Sequence, residues 1–505
     1  MEIIECYDFF ELRIRTDTEP SAVFSNGEKS VEIRGFRVSD TSWAIRFMPD
    51  CEGVWQYRVV TSDLTGQFEC VPNTGENHGP AITDSLSFEY ADGAPYVPVG
   101  TTCYAWIHQT PEVIAQTLET LGTAPFNKIR MCVFPKSMPY NNNDPESYPF
   151  LKDPEGKWDV TKLDFRFWDH LDTMLTKLCD LDIEADLILF HPYDRWGFST
   201  LSIEECLTYL DYCIRRLSAY RNIWWSLANE YDLMPARKPE DWDAFGKKLQ
   251  AEDPYHHLIS VHHCLTIFPK KDWLTHCSLQ TGFIKRTAEW RTEYGLPAII
   301  DECGYEGDIE FDWGNLSAFE LVHRAWTTVT SGGFITHGET FRREDEVLWW
   351  AKGGKLYGQS PERFAFLKSI QYELGKAEPF QLPEFFTNPN EAEKEGANEE
   401  AAGFAELFGK ILCALPEFDR RLFMMQFTPA ILRNADYRLQ YLGRQCPCII
   451  DIQLPEAGRY KVEILDVWEM TRKVAEGEVQ GNLRISLPGK EGMAVLVTRL
   501  AGEAL

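Results

Sequence analysis

Apolar runs that stop abruptly at polar side chains are where this 505-residue chain can do chemistry. "LILF" ends in His191-Pro192-Tyr193-Asp194, "WWSLA" in Asn229-Glu230, "AII" in Asp301-Glu302, and "GFIT" in His337-Gly338-Glu339. Each run is apolar enough to be a buried strand, so the residues after it are presented at a defined place, the strand end. Glu230 and Glu302 have the clearest use as a pair. If both strand ends face one pocket, one carboxyl can protonate a leaving oxygen while the other attacks the carbon or activates a water, as glycoside hydrolysis requires. Burial of the acid among aromatics such as Trp224 and Trp225, with a second carboxylate nearby, is expected to raise its pKa into the working range.

The elements that must position these groups follow from the pattern of the chain. Residues 1–85 carry short β-type segments ("SVEIRGFRV", "SWAIRFMPD", "GVWQYRVVTS", "GQFECVP") separated by turn residues, which predicts a small N-terminal β-sandwich. "NTGENHGPAI" then reads as a linker. Over residues 86–380 eight apolar β runs alternate with helical patterns: "YVPVGTT", "FNKIRMCVF", "ADLILFH", "NIWWSLANE", "HLISVHH", "HCSLQ", "PAIIDE" and "GGFITHGE". The stretch "IEECLTYLDYCIRRLSAY" places Ile203, Cys206, Leu207 and Leu210 on one helical face. The expected fold class is therefore α/β, a (β/α)8 TIM barrel between an N-terminal and a C-terminal β-sandwich. A doubly wound sheet is the alternative, but neither GxGxxG nor GxxxxGK[ST] is present to hold a nucleotide phosphate. Residues 381–505 begin with the acidic stretch "PEFFTNPNEAEKEGANEEAAG", expected as a linker or surface excursion. They continue with the β-type runs "RLFMMQFT", "YRLQYLG", "CIIDIQLP", "RYKVEILDVW", "LRISLP" and "MAVLVTRL".

Barrel strand ends carry active sites. By strand count Glu230 closes the fourth strand and Glu302 the seventh, on opposite sides of one mouth. Sugar faces stack on aromatic rings, and Tyr104, Trp106, Tyr193, Trp196, Tyr231, Tyr305 and Trp313 all follow predicted strand ends. Duller readings stand beside these. A strand-end Glu is often a solvated loop residue, a Trp beside a strand is more often core, and Arg130 can be a structural ion-pair partner. Strand alternation points only one of His262 and His263 inward, and His263 is the one assigned to the pocket. His191, Asp194 and Glu339 form an alternative metal set. The first strand has no HxH to support it, so no metal is assigned and Glu339 is taken as a substrate contact.

Composition narrows the classes further. With 44% hydrophobic and 25% charged residues the chain reads as globular, and no apolar run reaches the roughly 20 residues of a membrane helix. The formal charge of −28 argues against nucleic acid as a partner. The 14 cysteines follow no framework spacing, and "CPC" at 446–448 is too tight for a zinc knuckle and lacks a second pair, so free and mostly buried thiols are expected. The opening "MEIIECYDFFELRIR" lacks signal-peptide features, giving the expectation of a cytoplasmic protein that takes small imported oligosaccharides. No cofactor is called for, and homo-oligomerisation is left open.

"SLANEYD" closing the fourth strand and "IIDECGYEG" closing the seventh resemble the retaining glycoside hydrolases of clan A. More narrowly, "GAPYVPVGTTCYAW", "FNKIRMCVFP", "FHPYDRWGF" and "WWSLANEYD" resemble the apiosidase-like barrel family, whose members commonly carry an N-terminal immunoglobulin-like domain and a C-terminal β domain. That resemblance implies that Glu230 is the general acid/base and Glu302 the nucleophile of a covalent glycosyl-enzyme. It implies that Asn229 binds the sugar 2-hydroxyl, that Arg130 holds the nucleophile ionised, and that His191 and His263 contact sugar or carboxylate. The clan's tyrosine near the end of the sixth strand is missing; Gln280 stands there, and Tyr305 is the candidate substitute. The expectation is a retaining glycosidase acting on oligosaccharides or short glycosides. An endo-acting polysaccharide glycanase and a non-catalytic carbohydrate-binding barrel are the alternatives.

Overall fold

The structure is a computed structural model that describes residues 1–27, 29–380, 399–454 and 458–500. The predicted acidic linker, Pro383 to Gly403, lies outside the described residues as far as residue 398. Contacts group residues 1–282, 290–321 and 334–373 into one unit, and 283–289, 322–333 and 374–505 into a second.

All eight predicted barrel strands form: Val99–Thr102, Lys128–Cys132, Glu184–Phe190, Ile223–Ala228, Ile259–Ser260, Cys277–Gln280, Ala298–Glu302 and Phe334–His337. They make one parallel sheet in the order fifth, fourth, third, second, first, eighth, seventh, sixth. A parallel bridge between His262 and Ser278 links the fifth strand's end to the sixth, closing the cycle. The second, third and fourth strands are buried along their whole length; the fourth, IWWSLA, reads as a nearly unbroken apolar run, while the second and third also bury Lys128, Arg130, Glu184 and Asp186. Helices fill the intervals where expected. Ile203–Leu217 starts on a Ser202–Glu205 capping box, carries Arg215 and Arg216 in its last turn, and packs Cys206, Tyr209, Leu210, Cys213 and Ile214 inward, with Ile203 and Leu207 at the core's edge. Phe165–Cys179 starts on an Asp164 N-cap and buries Trp168, Leu171, Leu175 and Leu178.

The N-terminal strands form a five-stranded and a three-stranded sheet around a core of Phe10, Phe24, Ile45, Phe47, Trp55 and Phe68. Sequence reading missed the strands Glu2–Glu5, Phe10–Arg15 and Ser21–Asn26, whose charged and polar residues break the β pattern. The Asn73–Ile82 stretch is anchored, with buried Asn77 donating its side-chain amide to the Cys6 carbonyl. Buried Arg46 fastens this region to the barrel helices, pairing with Asp172 at 2.6 Å and donating to the Arg216 carbonyl at 3.0 Å.

In the second unit, strands Glu378–Pro379, Ala430–Arg433, Tyr437–Tyr441, Met493–Arg499, Tyr460–Asp466 and Thr471–Val479 are neighbours in that order in a six-stranded sheet. Ile449–Ile452 and Leu483–Ser486 pair separately, and a core of Ile452, Val462, Ile485, Val495 and Val497 lies among them. One expectation fails here. "RLFMMQF" is not a strand but part of the helix Glu417–Phe427. It contains no β-branched residue, and Pro416 with Glu417 and Asp419 ahead of it supplies a helix start.

Inside the barrel, below the strand ends, sits a cluster of buried charges. The Lys128 ammonium reaches Asp186 at 2.9 Å and Asp301 at 2.8 Å, and Arg130 Nε lies 3.7 Å and 3.9 Å from the same two carboxylates. Ser278 and Thr336 donate their hydroxyls to Asp301 at 2.6 Å and 2.7 Å. Burial alone would raise the Asp301 carboxyl, but Lys128 and Arg130 hold it well below the usual carboxylate range. Removing one member leaves an uncompensated buried charge. Asp301→Ala is therefore expected to cost about 3–5 kcal/mol, read as a lower urea midpoint. An unchanged midpoint would show that the cluster does not hold the barrel.

Candidate active site

The fourth strand ends by turning sharply. Glu230 adopts φ 51° and ψ 55°, a left-handed conformation unusual for a non-glycine residue, at the entrance to the short helical turn Tyr231–Leu233. Such strain persists only where the surroundings enforce it, and it collects at functional positions. Here the Tyr231 N–H donates to the His262 carbonyl and the Asn229 N–H to the Phe190 carbonyl, locking the turn between the third and fifth strand ends. Glu230 is buried. It accepts from its neighbour Asn229 Nδ2 at 3.1 Å and from Gln280 Nε2 at 3.2 Å.

The seventh strand presents its carboxylate differently. Pairing with the sixth strand shifts register between Leu279↔Ile300 and Gln280↔Glu302, so Asp301 is passed over. This irregularity lets consecutive residues serve the barrel's interior, with Asp301 in the ion cluster and Glu302 in the mouth. Glu302 Oε1 accepts from Arg130 Nη1 at 3.2 Å and from the Tyr104 hydroxyl. Arg130 Nη2 also donates to Asn229 Oδ1 at 3.0 Å, and Tyr104 lies 3.1 Å from the same oxygen. Arg130 and Tyr104 thus join Glu302 to Asn229, whose amide in turn holds Glu230. Four groups predicted for the site, Arg130 within the second strand and Asn229, Glu230 and Glu302 at strand ends, form one hydrogen-bonded chain.

Burial pushes the Glu302 carboxyl up to about 8, and the Tyr305 hydroxyl opposes it by favouring the charged form. Tyr305 lies close without the geometry of a hydrogen bond, and its hydroxyl has no hydrogen-bond partner among the described residues. The shift at Glu302 makes its donors matter more. Two tyrosines serve Glu302: Tyr104 by direct hydrogen bond and Tyr305 by proximity. Gln280, at the sixth strand's end, holds Glu230 instead. Tyr104 was expected as a sugar platform, but its ring is buried and its hydroxyl donates to Glu302 with Asn229 Oδ1 beside it.

Lys136, which sequence reading did not single out, is buried beside these rings. Its ammonium sits 3.2 Å from the Tyr104 ring centroid, 4.4 Å from Tyr193 and 5.5 Å from Trp350, and forms no hydrogen bond or ion pair among the described residues. Burial lowers it to about 8 against the pull of the Cys132 and Glu230 charges. The signal was available as a lysine just past the second strand's end. Trp350, also missed, packs with Tyr104, Tyr305 and Trp313 into one aromatic wall. Burial and the nearby Glu230 charge raise the Tyr193 hydroxyl, which places that ring beside Glu230.

Burial lowers the histidines around the site. His191 is buried with Nε2 3.2 Å from the Phe134 carbonyl, and burial with the Lys136 charge lowers it to about 4. Burial lowers His263 too, against the Asp232 and Glu230 charges. The neighbouring His262, not expected in the pocket, is fully buried near Arg130 and Asp301, with neither ring nitrogen hydrogen-bonded among the described residues.

Several predicted contacts lie elsewhere. Trp106 is fully buried in the barrel's core cluster. Tyr231 packs edge-on against Phe268 and Trp242 and donates its hydroxyl to the Thr266 carbonyl. Trp196 is half-buried and donates to Asp144, and Asp194 accepts the backbone N–H groups of Trp196, Gly197 and Ser199. Glu339 accepts from the N–H groups of Tyr357 and Gly358 and makes no hydrogen bond to either candidate catalytic carboxylate. Among the described residues His191, Asp194 and Glu339 are not brought together as one ligand cluster.

Residues 83–361 match the catalytic domain of the apiosidase-like family. Residues 4–62 and 428–498 match two domains of unknown function, DUF5060 and DUF5605. No curated protein matches the chain. Among solved structures, a candidate glycoside hydrolase from Bacteroides vulgatus ATCC 8482 is 30% identical with a TM-score of 0.85, covering 99% of this chain and 100% of the other. A glycoside hydrolase family 5 protein from the same organism is 16% identical with a TM-score of 0.59, covering 84% of this chain and 93% of the other, a likeness of fold. With its barrel matched over the whole site and its full length matched at 30% identity, the chain belongs to the apiosidase-like family and is a glycosidase.

Proposed function

We propose that this glycosidase acts by retaining double displacement on oligosaccharides or short glycosides, with Glu302 as nucleophile and Glu230 as acid/base. The observation that carries the reading is the hydrogen-bonded chain from Glu302 through Arg130 and Tyr104 to Asn229 and Glu230. In the first step a Glu302 oxygen attacks the anomeric carbon as the Glu230 carboxyl protonates the departing glycosidic oxygen. In the second, the Glu230 carboxylate takes a proton from water, which attacks the same carbon and frees Glu302. Arg130 and Tyr104 keep the Glu302 charge that burial disfavours, a charge-assisted pairing directed at the reacting oxygen. Asn229 Nδ2, which in this structure holds Glu230, is the donor for the sugar 2-hydroxyl.

Glu302→Ala is expected to reduce turnover of an aryl glycoside by roughly a thousandfold or more. Azide should restore activity and yield the inverted glycosyl azide. Glu230→Ala should slow substrates with poor leaving groups far more than activated aryl glycosides. Undiminished turnover in either variant would defeat the assignment. Early proton NMR of the product should show retained anomeric configuration; an inverted first product would replace Glu302 as nucleophile with a general base.

The pH profile tests Arg130. The nucleophile works ionised, so activity is present above the Glu302 pKa and lost below it. With that carboxyl at about 8, the acid limb of kcat/KM should centre near there. Arg130→Gln removes a positive neighbour and should move the limb to higher pH; a limb that stays or moves down would refute its role.

A further inference from the structure

Beyond the barrel's rim, the chain after the seventh strand pairs in parallel with the chain after the eighth, Glu306 against Glu339 and Gly307 against Thr340. Side chains alternate across this short ribbon. Tyr305 turns toward Glu302, while the neighbouring Glu306 and Glu339 are buried against the turn at 357–360. Gly338 lies under the Tyr305 ring, where a Cβ would collide with it. Glu339 accepts from the Tyr357 and Gly358 N–H groups at 2.6 Å and 2.8 Å. Glu306 accepts from the Gln359 and Ser360 N–H groups at 2.8 Å and 3.0 Å, and from the Ser360 hydroxyl. A Cβ on Gly358 would collide with both carboxylates, which shows how closely they approach each other.

No lysine or arginine is paired with either carboxylate among the described residues, although cations answer the buried carboxylates of the barrel interior. What stands next to them is an imidazole. His337 is fully buried, and one of its ring nitrogens lies within 4.8 Å of one oxygen from each glutamate, the three ligand atoms being mutually that close. Its Nδ1 is 3.2 Å from the Thr101 hydroxyl, which also accepts from Trp349 Nε1 at 2.8 Å. Its Nε2 has no hydrogen-bond partner among the described residues. A threonine oxygen can accept from two donors, so Nδ1–H can donate to Thr101 and leave the Nε2 lone pair free. That is the way metal-bound histidines are oriented from behind.

We infer that Glu306, His337 and Glu339 form a binding site for one divalent transition-metal ion of the zinc type. Imidazole nitrogen with two carboxylate oxygens suits zinc, whereas calcium and magnesium prefer all-oxygen ligand sets. The ion supplies the positive charge that the paired carboxylates lack and ties the 357–360 turn to the ribbon that carries Tyr305 on its other face. It stands outside the reaction, so the site does not depend on the double-displacement reading. No metal was assigned from the sequence, for want of an HxH on the first strand; Glu306 and Glu339 become neighbours only when the ribbon pairs.

Tag-free, full-length protein, dialysed against chelator, tests the inference with Co²⁺ and Zn²⁺. Co²⁺ should give a visible absorption band that saturates at one ion per chain, and Zn²⁺ should displace it. Zn²⁺ should also raise the wild-type Tm by a few degrees. His337→Gln and Glu339→Gln should each lose the band and the Tm shift. Absence of a Co²⁺ band in the wild type overturns the site whether or not the variants fold, and would leave a proton shared between the carboxylates as the explanation of their closeness. A band that persists unchanged in both folded variants also overturns it, because the ion would then be held elsewhere.

Discussion

Two cations and two carboxylates buried in the barrel's interior are the constraint from which the site follows. Lys128, Arg130, Asp186 and Asp301 lie where water cannot screen them, so each must be answered by another. Because Lys128 occupies the shortest contacts with both aspartates, Arg130 meets them only at longer range through Nε. Its two terminal nitrogens are left pointing up the barrel, one for Glu302 and one for Asn229. A guanidinium suits this task because its donors leave the group in a fixed fork, which an ammonium cannot provide.

The remaining features of the site refine what Arg130 begins. The register shift on the seventh strand delivers Asp301 to the cluster and Glu302 to the mouth from adjacent positions. The left-handed turn at Glu230 ends the fourth strand without letting its carboxylate swing toward solvent. Aromatic rings close the wall and exclude water, which raises Glu302 and makes each hydrogen bond to it stronger than it would be in an open cleft.

The barrel was legible because its strands are buried on both faces and its helices are capped, so period and length could be read directly. Asn229, Glu230 and Glu302 were legible for a related reason: a strand end is a fixed point, whereas Arg130, inside the second strand, came from the family resemblance. Aromatic assignments failed at Trp106 and Tyr231, because adjacency to a strand end does not say whether a ring turns toward the mouth or the surrounding helices. Glu339 failed similarly, one residue beyond a reliable strand end but on the outward side of the ribbon. "RLFMMQF" was misread because apolar content alone does not separate a helix from a strand in a short run. Lys136 and Trp350 were passed over because their partners are rings brought from the first and third strand ends and from residues after the eighth strand.

By itself the sequence determined which elements exist and where the apolar runs stop, since both depend on local composition and period. That was enough to put Asn229-Glu230 and Asp301-Glu302 at barrel strand ends. Only the tertiary structure decided which of those ends share a hydrogen bond, that burial raises Glu302, and that Glu306 meets Glu339. Those outcomes depend on distance and burial between segments far apart in the chain. There, a shift of one residue in register changes the partner of a charge, while the local pattern remains the same.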